Sequence, residues 1–434
     1  MQRFLRRVAV IGGARIPFCR SNTFYADLSN LELMTGALNA LIDRYNLKGQ
    51  HIDEVVGGAV ITHSKDFNLT REAVLGTRLA PSTPGITMMQ ACGTSLQGGL
   101  GSVAKIATGE IECAIAVGSD TTSDAPIVVS KKFAKRLTQA AQQKTFMDKL
   151  KVFKGFGPGE LVPLAPANAE PRTGLSMGEH AELMAQEWDI TRAEQDAFAL
   201  DSHRKAAEAY RSGYMDDLVT PFAGVYRDNN IRADATAEKL ATLKTSFDKT
   251  ARGTLTAANS TPLTDGAAAV LFASEDWAKK HGLPIAAYIT YSQTAANDFV
   301  GGDGLLMAPT IAVSRMLDRA GLKLQDFDFY EIHEAFAAQV LATLKAWEDP
   351  DYCKDVLGRA EPMGSIDRAK LNVRGSSIAV GHPFAATGAR IVSNLAKLLT
   401  EQHGRGLISI CTAGGMGVAA ILESKDAAEI HQAA

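Results

Sequence analysis

Four residues in this chain stand in settings that suit chemistry. In Met88-Met-Gln-Ala-Cys-Gly-Thr-Ser95, Cys92 lies between an extended run and a helical pattern from Ser95 to Ala107. A thiol at a helix N-terminus has its pKa lowered from about 8.5, so Cys92 is expected to be partly thiolate at neutral pH. The stretch Asn372-Val-Arg-Gly-Ser-Ser-Ile-Ala-Val-Gly-His-Pro383 sets His382 on a tight turn before a helix-like run, Thr387 to Leu399. There a ring nitrogen can face a pocket while the helix dipole disfavours the imidazolium. Leu407 to Ile410 reads as a buried strand ending at Cys411, and the glycine-rich turn after it lets a ligand approach the backbone. In Tyr330-Glu-Ile-His-Glu-Ala-Phe336, His333 follows a β-type run. A histidine on one strand-to-helix turn and a cysteine at the end of the next strand suit acyl transfer.

Strands alternating with helices are needed to hold such turns. Val8 to Gly12, Val55 to Ile61 and Cys113 to Gly118 read as strands, and Asn30 to Tyr45 and Thr70 to Arg78 as helices. The alternation predicts parallel βαβ units. The second half then repeats the first. Asp43-Arg-Tyr-Asn-Leu-Lys-Gly-Gln-His-Ile-Asp-Glu54 aligns with Asp318-Arg-Ala-Gly-Leu-Lys-Leu-Gln-Asp-Phe-Asp-Phe329, identical at six of the twelve positions. In the same register the Cys92 turn matches the His382 turn, and strand 113–118 matches 406–411. Two copies of one α/β unit packed about a pseudo-twofold would bring Cys92 and His382 to one shared site.

The totals bound the rest. With 434 residues, two or three domains are expected. A net charge of −3 gives no general attraction to nucleic acid. The five cysteines are scattered and odd in number, without CxxC or metal-ligand spacing, which predicts free thiols in a reducing compartment and no metal site. The apolar run behind the basic start Met1 to Arg7 is too short for a signal sequence. No stretch reaches the ~18 apolar residues of a membrane span. Thr191-Arg-Ala-Glu194 predicts a capping box, and the polar tail after Glu423 is expected to fray.

Five motifs, in order along nearly the whole chain, resemble the thiolase family. They are the Ala91-Cys-Gly-Thr-Ser95 turn, Asn259-Ser-Thr-Pro-Leu-Thr-Asp-Gly-Ala267, the His333-Glu-Ala-Phe336 box, the Asn372…Gly381-His-Pro383 turn and Cys411-Thr-Ala-Gly-Gly-Met-Gly417. The resemblance implies a duplicated thiolase fold of two five-layered α/β/α/β/α halves with an inserted loop domain. The expected division is 1–120 plus 251–274, an insert over 121–250, and 275–434. It implies that Cys92 is the acyl-accepting nucleophile, His382 the base that activates it, and Cys411 the second acid/base. His333 would hold a water that, with His382, forms one oxyanion hole, and Glu334 would orient the ring or the water. The backbone N–H groups of Cys92 and Ala413 would form the other hole. Thr261 and Met177 would lie on the pantetheine side of coenzyme A, which is a substrate and not a resident cofactor. Lys249 and Arg252 could meet its phosphates, although plain surface charge is the simpler reading. Two departures stand out: Ala413 and Ser376 replace usual glycines.

The implied reaction is thiolysis of 3-ketoacyl-CoA in fatty-acid β-oxidation. The His333 box leans toward the thiolase subunit of fatty-acid oxidation complexes, with medium or long chains. A short-chain acetoacetyl-CoA thiolase working in condensation is the alternative. A decarboxylating ketoacyl synthase lacks the second cysteine, and a non-catalytic acyl-CoA-binding subunit would not need these polar residues. The resemblance also implies a homodimer or homotetramer, a hydratase/dehydrogenase partner subunit, and a cytoplasmic location. The segment 131–154 carries eight basic residues against Asp148, interspersed with Phe133, Leu137, Met147, Leu150 and Phe153. It reads as a solvated helical pair, a peripheral membrane contact or a partner-binding element.

Overall fold

The computed structural model describes residues 5–433, with side chains described through residue 429. The basic start is therefore described only from Leu5 onward. Ten strands form one mixed sheet: β1 (Val8–Arg15), β2 (Cys19–Arg20), β3 (Glu54–Gly58), β4 (Gly85–Thr87), β5 (Cys113–Asp120), β6 (Thr264–Ser274), β7 (Ala287–Ala296), β8 (Phe329–Ile332), β9 (Arg405–Thr412) and β10 (Met416–Glu423). Their order is β4-β3-β5-β6-β1-β7-β10-β9-β8, with β2 paired to β6.

This order is a repeat. The first copy runs β3-β5-β6-β1 and the second β8-β9-β10-β7. They meet where β1 pairs antiparallel with β7, Ala9 opposite Tyr288. The parallel pairing expected from the strand–helix alternation is found at β3–β4, β3–β5 and β8–β9. Elsewhere a strand returns antiparallel, as β6 beside β5 and β10 beside β9. The aligned sequence repeat has a structural cause. The helices Asn30–Arg44 and Ala308–Ala320 end alike, with Asn46 and Gly321 in the left-handed region at φ 54° and 66°. In both copies the next leucine N–H bonds back five residues, Leu47 to Ile42 and Leu322 to Leu317. That is a left-handed helix stop, which favours Gly or Asn.

Three apolar clusters divide the layers. One packs helix Asn30–Arg44 and its neighbours on the outer face of the first half-sheet. One packs helices Ala308–Ala320 and Ala337–Glu348 on the outer face of the second. Between the half-sheets lie the helices Thr94–Thr108 and Thr387–Gln402. The two halves together thus stack α/β/α/β/α. Helix Thr387–Gln402 buries twelve of its sixteen residues, the signature of a helix covered on all sides. Its Gly388 lies at the crossing with the other central helix, where a Cβ would sit 2.5 Å from the Leu96 nitrogen.

Between β5 and β6 the described chain adds helices and no strand of this sheet. The capping box expected at Thr191 opens helix Arg192–Arg211. That helix leans on the second half, where Lys205 Nζ donates to the Leu371 carbonyl at 2.9 Å. The tail departs from expectation: instead of fraying, it forms a helix over Lys425–Ala433 with Ala428 buried, because one apolar side chain finds the edge of the core.

Candidate active site

Cys92 sits on a single 3-10 turn, Ala91–Gly93, directly ahead of helix Thr94–Thr108. The residue before it, Ala91, is held at φ 44°, a conformation disfavoured for a residue with a Cβ. The Thr94 hydroxyl donates to the Ala91 carbonyl at 2.8 Å and accepts from the Gln90 N–H at 2.9 Å, which closes the turn. A matching 3-10 turn, Phe384–Ala386, precedes the other central helix. Asp120, at the end of β5, ties this second turn to the loop after β3. It accepts from the N–H groups of Val60, Ile61 and Ala385.

His382 reaches across this junction. Its Nε2 lies 3.1 Å from Cys92 Sγ and its Nδ1 lies 2.6 Å from Thr387 Oγ1. Its backbone N–H donates to Thr264 Oγ1 at 3.2 Å. Thr264 belongs to the Asn259–Ala267 motif, which runs beside both histidine loops through bridges Ser260–Phe336 and Leu263–His382. His333 follows β8 and its ring lies 4.2 Å from that of His382, centroid to centroid. Cys92, His333 and His382 each offer a ligand-type atom within 4.8 Å of the others. One thiol and two imidazoles could bind a soft divalent cation. Doing so would occupy the sulfur and the nitrogen that acyl transfer requires.

Burial governs the charges. Cys92 is only 7% exposed. Its thiol is pushed up to about 12 by burial and by the Asp120 charge, while the N–H groups of Ala413 and of Cys92 itself face the sulfur and pull the other way. The partial thiolate expected from the helix terminus is thus corrected. Desolvation outweighs the few partial charges of a helix end, and the resting sulfur is a thiol. His382 is lowered to about 3 by burial and then by the positive charge of Arg390. His333 is lowered well below its ordinary value by burial, then His382 and Arg390. Burial and the Arg390 charge thus favour the same unprotonated state of His382 that the helix dipole is expected to favour. Cys411, buried at the end of β9, is pushed well up by burial and by Cys92, so the two thiols are electrostatic neighbours.

The other singled-out residues divide. Ala413 is not among the residues with positive φ, and Ser376 sits at φ −142°, so neither position demands glycine. Glu334 makes no described hydrogen bond to the His333 ring. Its carboxylate accepts from Ser202 Oγ at 2.8 Å, Asn372 Nδ2 at 2.7 Å and the Ile378 N–H at 3.2 Å, and so ties the two histidine loops together. Thr261 donates its N–H to the Ala335 carbonyl at 3.1 Å. Met177 opens helix Met177–Glu187 and packs on the cluster that holds Phe336 and Cys411. The Gly178 beside it is needed, since a Cβ there would fall 2.1 Å from the Phe247 ring. Lys249 and Arg252 line a surface pocket with Phe247 and this helix.

Sequence reasoning missed Ser377, Thr387, Arg390 and Asn372 as members of the site. Arg390 carried a readable signal, as a lone charge within the apolar pattern Ala389-Arg-Ile-Val392. Asn372, at φ 45°, pairs both ways with the Ile332 backbone at 2.9 Å and so sets the strand end before His333.

Comparison with known proteins matches residues 8–276 to the family model "Thiolase, N-terminal domain" and residues 283–424 to "Thiolase, C-terminal domain". A 3-ketoacyl-CoA thiolase of Yersinia pestis (strain Pestoides F) is 42% identical over 424 residues, covering 96% of this chain and 97% of that protein. The Bacillus anthracis acetyl-CoA acetyltransferase structure superposes with a TM-score of 0.79 at 30% identity, covering 97% of this chain and 99% of that one. Human mitochondrial 3-ketoacyl-CoA thiolase in complex with CoA also gives 0.79, at 28% identity, covering 97% and 99%.

Proposed function

Because the chain belongs to the thiolase family, we propose that it is a 3-ketoacyl-CoA thiolase, an acetyl-CoA C-acyltransferase of fatty-acid degradation. The observation that carries this reading is Cys92 Sγ at 3.1 Å from His382 Nε2, with His333 alongside. Both partners rest neutral, so the proton moves as the sulfur attacks. His382 Nε2 takes it, and Nδ1–H is held by Thr387.

Cys92 adds to the 3-keto carbonyl, and the Cα–Cβ bond breaks. The departing acetyl-CoA leaves as an enolate, whose oxygen is stabilised from the His333 and His382 side. Cys411 gives the α-carbon its proton. Coenzyme A, losing its thiol proton to Cys411, then attacks the acyl-Cys92 thioester, whose carbonyl oxygen takes the N–H groups of Cys92 and Ala413; the acyl–Sγ bond breaks, acyl-CoA leaves, and Cys92 takes its proton back from His382 Nε2. This is ping-pong covalent catalysis. The run in reverse is a Claisen condensation, which the short-chain alternative would use. Coenzyme A is read as a bound substrate, with Thr261 and Met177 on its pantetheine side. The likeness to a thiolase structure in complex with CoA supports this.

The assembly follows from the same reading. Residues 121–250 form an inserted domain between 1–120 plus 251–274 and 275–434, supported by the absence of sheet strands there among the described residues. The enzyme is a homodimer or homotetramer in the cytoplasm, with a hydratase/dehydrogenase partner subunit and a peripheral membrane contact through 131–154. Bacterial relatives support the location. No helix among the described residues is long and apolar enough to cross a membrane. The segment's helices, Lys131–Ala141 and Phe146–Val152, support the surface contact. They expose lysines together with Leu137, Phe146, Met147 and Leu150.

The test is CoA-dependent thiolysis of 3-ketoacyl-CoAs from four to sixteen carbons. A maximum at medium or long chains is expected. Activity confined to acetoacetyl-CoA would favour the short-chain alternative, and no activity in a folded protein would overturn the reading.

A further inference from the structure

His333 and His382 lie ring against ring, yet acyl transfer asks opposite things of them. His382 must keep Nε2 bare to accept the Cys92 proton. His333, if it is to stabilise an oxyanion, must present an N–H. The two rings share almost the same burial, so something beside them has to choose.

We infer that Ser377, held by Arg390, is the positioning residue that makes His333 an N–H donor at Nε2. The inference rests on the acyl-transfer reading above for its catalytic meaning, but its proton placement stands on the hydrogen bonds of Ser377 and on where the one open donor is left. Arg390 Nη2 donates to Ser377 Oγ at 2.7 Å and, more weakly, to Ser376 Oγ at 3.2 Å. A guanidinium has donors and no acceptor, so Ser377 spends a lone pair there and keeps its own proton to give. Its other described partner is His333 Nδ1, at 2.8 Å. If the hydroxyl donates to Nδ1, the Ser377 hydroxyl is satisfied both as acceptor and as donor, and the ring hydrogen sits on Nε2, on the side away from Ser377. If instead Nδ1 carried the hydrogen, the Ser377 proton would be a buried donor without an acceptor, in a residue with no exposure. Native interiors rarely tolerate that.

The remaining observation concerns Nε2 itself. It is buried and has no hydrogen-bond partner. His333 turns a ring nitrogen toward Cys92 and His382, and with Nδ1 taken by Ser377 the nitrogen left open is Nε2. A donor left open at the reacting sulfur is the geometry an oxyanion site needs. Arg390 serves twice. It polarises the hydroxyl, which strengthens the bond to Nδ1. Its charge also disfavours the imidazolium in both rings, while its own value, lowered to about 10 by burial, leaves it protonated at neutral pH. Glu331, on β8, is the carboxylate whose charge acts most strongly on Arg390, ahead of Glu334 and Asp228.

Ser377 also begins the short helix Ser377–Val380 that leads to His382, so a simple loss of activity would not separate positioning from structure. The discriminating experiment is Ser377→Ala made in two backgrounds, wild type and His333→Asn. An asparagine donates through its amide and has no tautomer to set. The expected result is a fall in kcat for thiolysis of about tenfold or more in the wild-type background, against the ~10²–10³ of losing an oxyanion donor outright. KM for CoA stays unchanged, and in the His333→Asn background the same substitution changes kcat by less than about twofold. Ser377→Thr, which keeps a hydroxyl, restores most of the rate. An equal loss in both backgrounds, or no loss in either, overturns the inference.

The proton itself is read by ¹⁵N NMR of histidine-labelled protein, with the His333 signals assigned by their disappearance in His333→Asn. Wild type should show the Nε2–H form, and an Nδ1–H form overturns the inference whatever the kinetics. This readout needs neither activity nor a folded Ser377→Ala. If wild type has no thiolase activity, the functional reading fails while the tautomer is still decided.

Discussion

Around Cys92 charge is buried and shared among fixed partners, whereas along 131–154 it is exposed and almost all of one sign. In the first region Asp120 and Glu331 are both pushed up to about 7 by burial. Asp120 is held by backbone N–H groups, and Glu331 by Asn394 Nδ2 at 2.6 Å and the charge of Arg390. Each such group is costly to desolvate and is kept only because its neighbours are fixed. In the second region the lysines stand in solvent, and the helical pair closes on its own small core, Phe133, Phe153 and Phe156, with centroids 5.7–6.5 Å apart. Arg136 ties it to Glu160 at 2.8 Å. The difference teaches where substitutions matter. The site cannot change one member without stranding another, while the helical pair can change its surface with little effect on the core.

The largest effect should come from the nucleophile. Cys92→Ser should lower CoA-dependent thiolysis by on the order of 10⁶-fold, as loss of a nucleophile does in other acyl-transfer enzymes. Vesicle binding through 131–154 should not change. A residual rate within tenfold of wild type would remove Cys92 from its role.

Next comes the junction that brings the two turns together. Gly388→Val would drive a side chain into the Leu96 backbone. It should destabilise the fold by about 1–3 kcal/mol, read as a lower urea midpoint at unchanged slope. It should also lower kcat by moving the Cys92 turn from His382. An unchanged midpoint would mean that the two central helices do not meet there.

A pH profile sharpens the contrast further. An ordinary exposed histidine base would lose activity as pH falls through about 6.5. His382 is lowered to about 3, so its proton-accepting form persists well below 6.5. kcat/KM should stay flat from pH 8 to about 5.5, since this ratio reports the free enzyme's groups. Stability moves differently. His382 and His203, lowered to about 4 by burial and Arg232, bind fewer protons folded than unfolded. Their contribution to stability is complete above about 6.5 and declines as pH falls toward their folded values. Asp120 and Glu331, raised by burial, act in the opposite sense between about 7 and 4. A limb in kcat/KM near pH 6.5, without unfolding, would contradict the buried-base picture.

The smallest effect on chemistry is expected from the other region. Lys131→Glu, Lys132→Glu and Lys135→Glu together should change thiolysis of a soluble substrate by less than about twofold and stability by less than about 0.5 kcal/mol. Co-sedimentation with vesicles rich in anionic lipid should fall sharply. A large loss of thiolysis would show the segment to be part of the catalytic unit.

Much of this could be read before any coordinates. The Asp43 and Asp318 repeats encode the same helix stop, and the parallel β3–β5 and β8–β9 units follow from strand–helix alternation. The antiparallel returns, β6 beside β5 and β10 beside β9, were not legible, because pairing partners are chosen across the sheet and not along the chain. The tail shows the same limit: its helix depends on Ala428 meeting a surface made elsewhere.

At the site, residue type and local turn chemistry determined the cast: Cys92, His333, His382 and Cys411, each at the end of a strand or on the turn before a helix. Local sequence carries that information because glycines, prolines and caps act over a few residues. Only the tertiary structure decided their charge states, the partners of Glu334 and the entry of Ser377 and Arg390. Protonation, tautomer and hydrogen-bond satisfaction depend on how much water is excluded and on which groups arrive from distant segments. Those quantities exist only once the two halves have closed on each other.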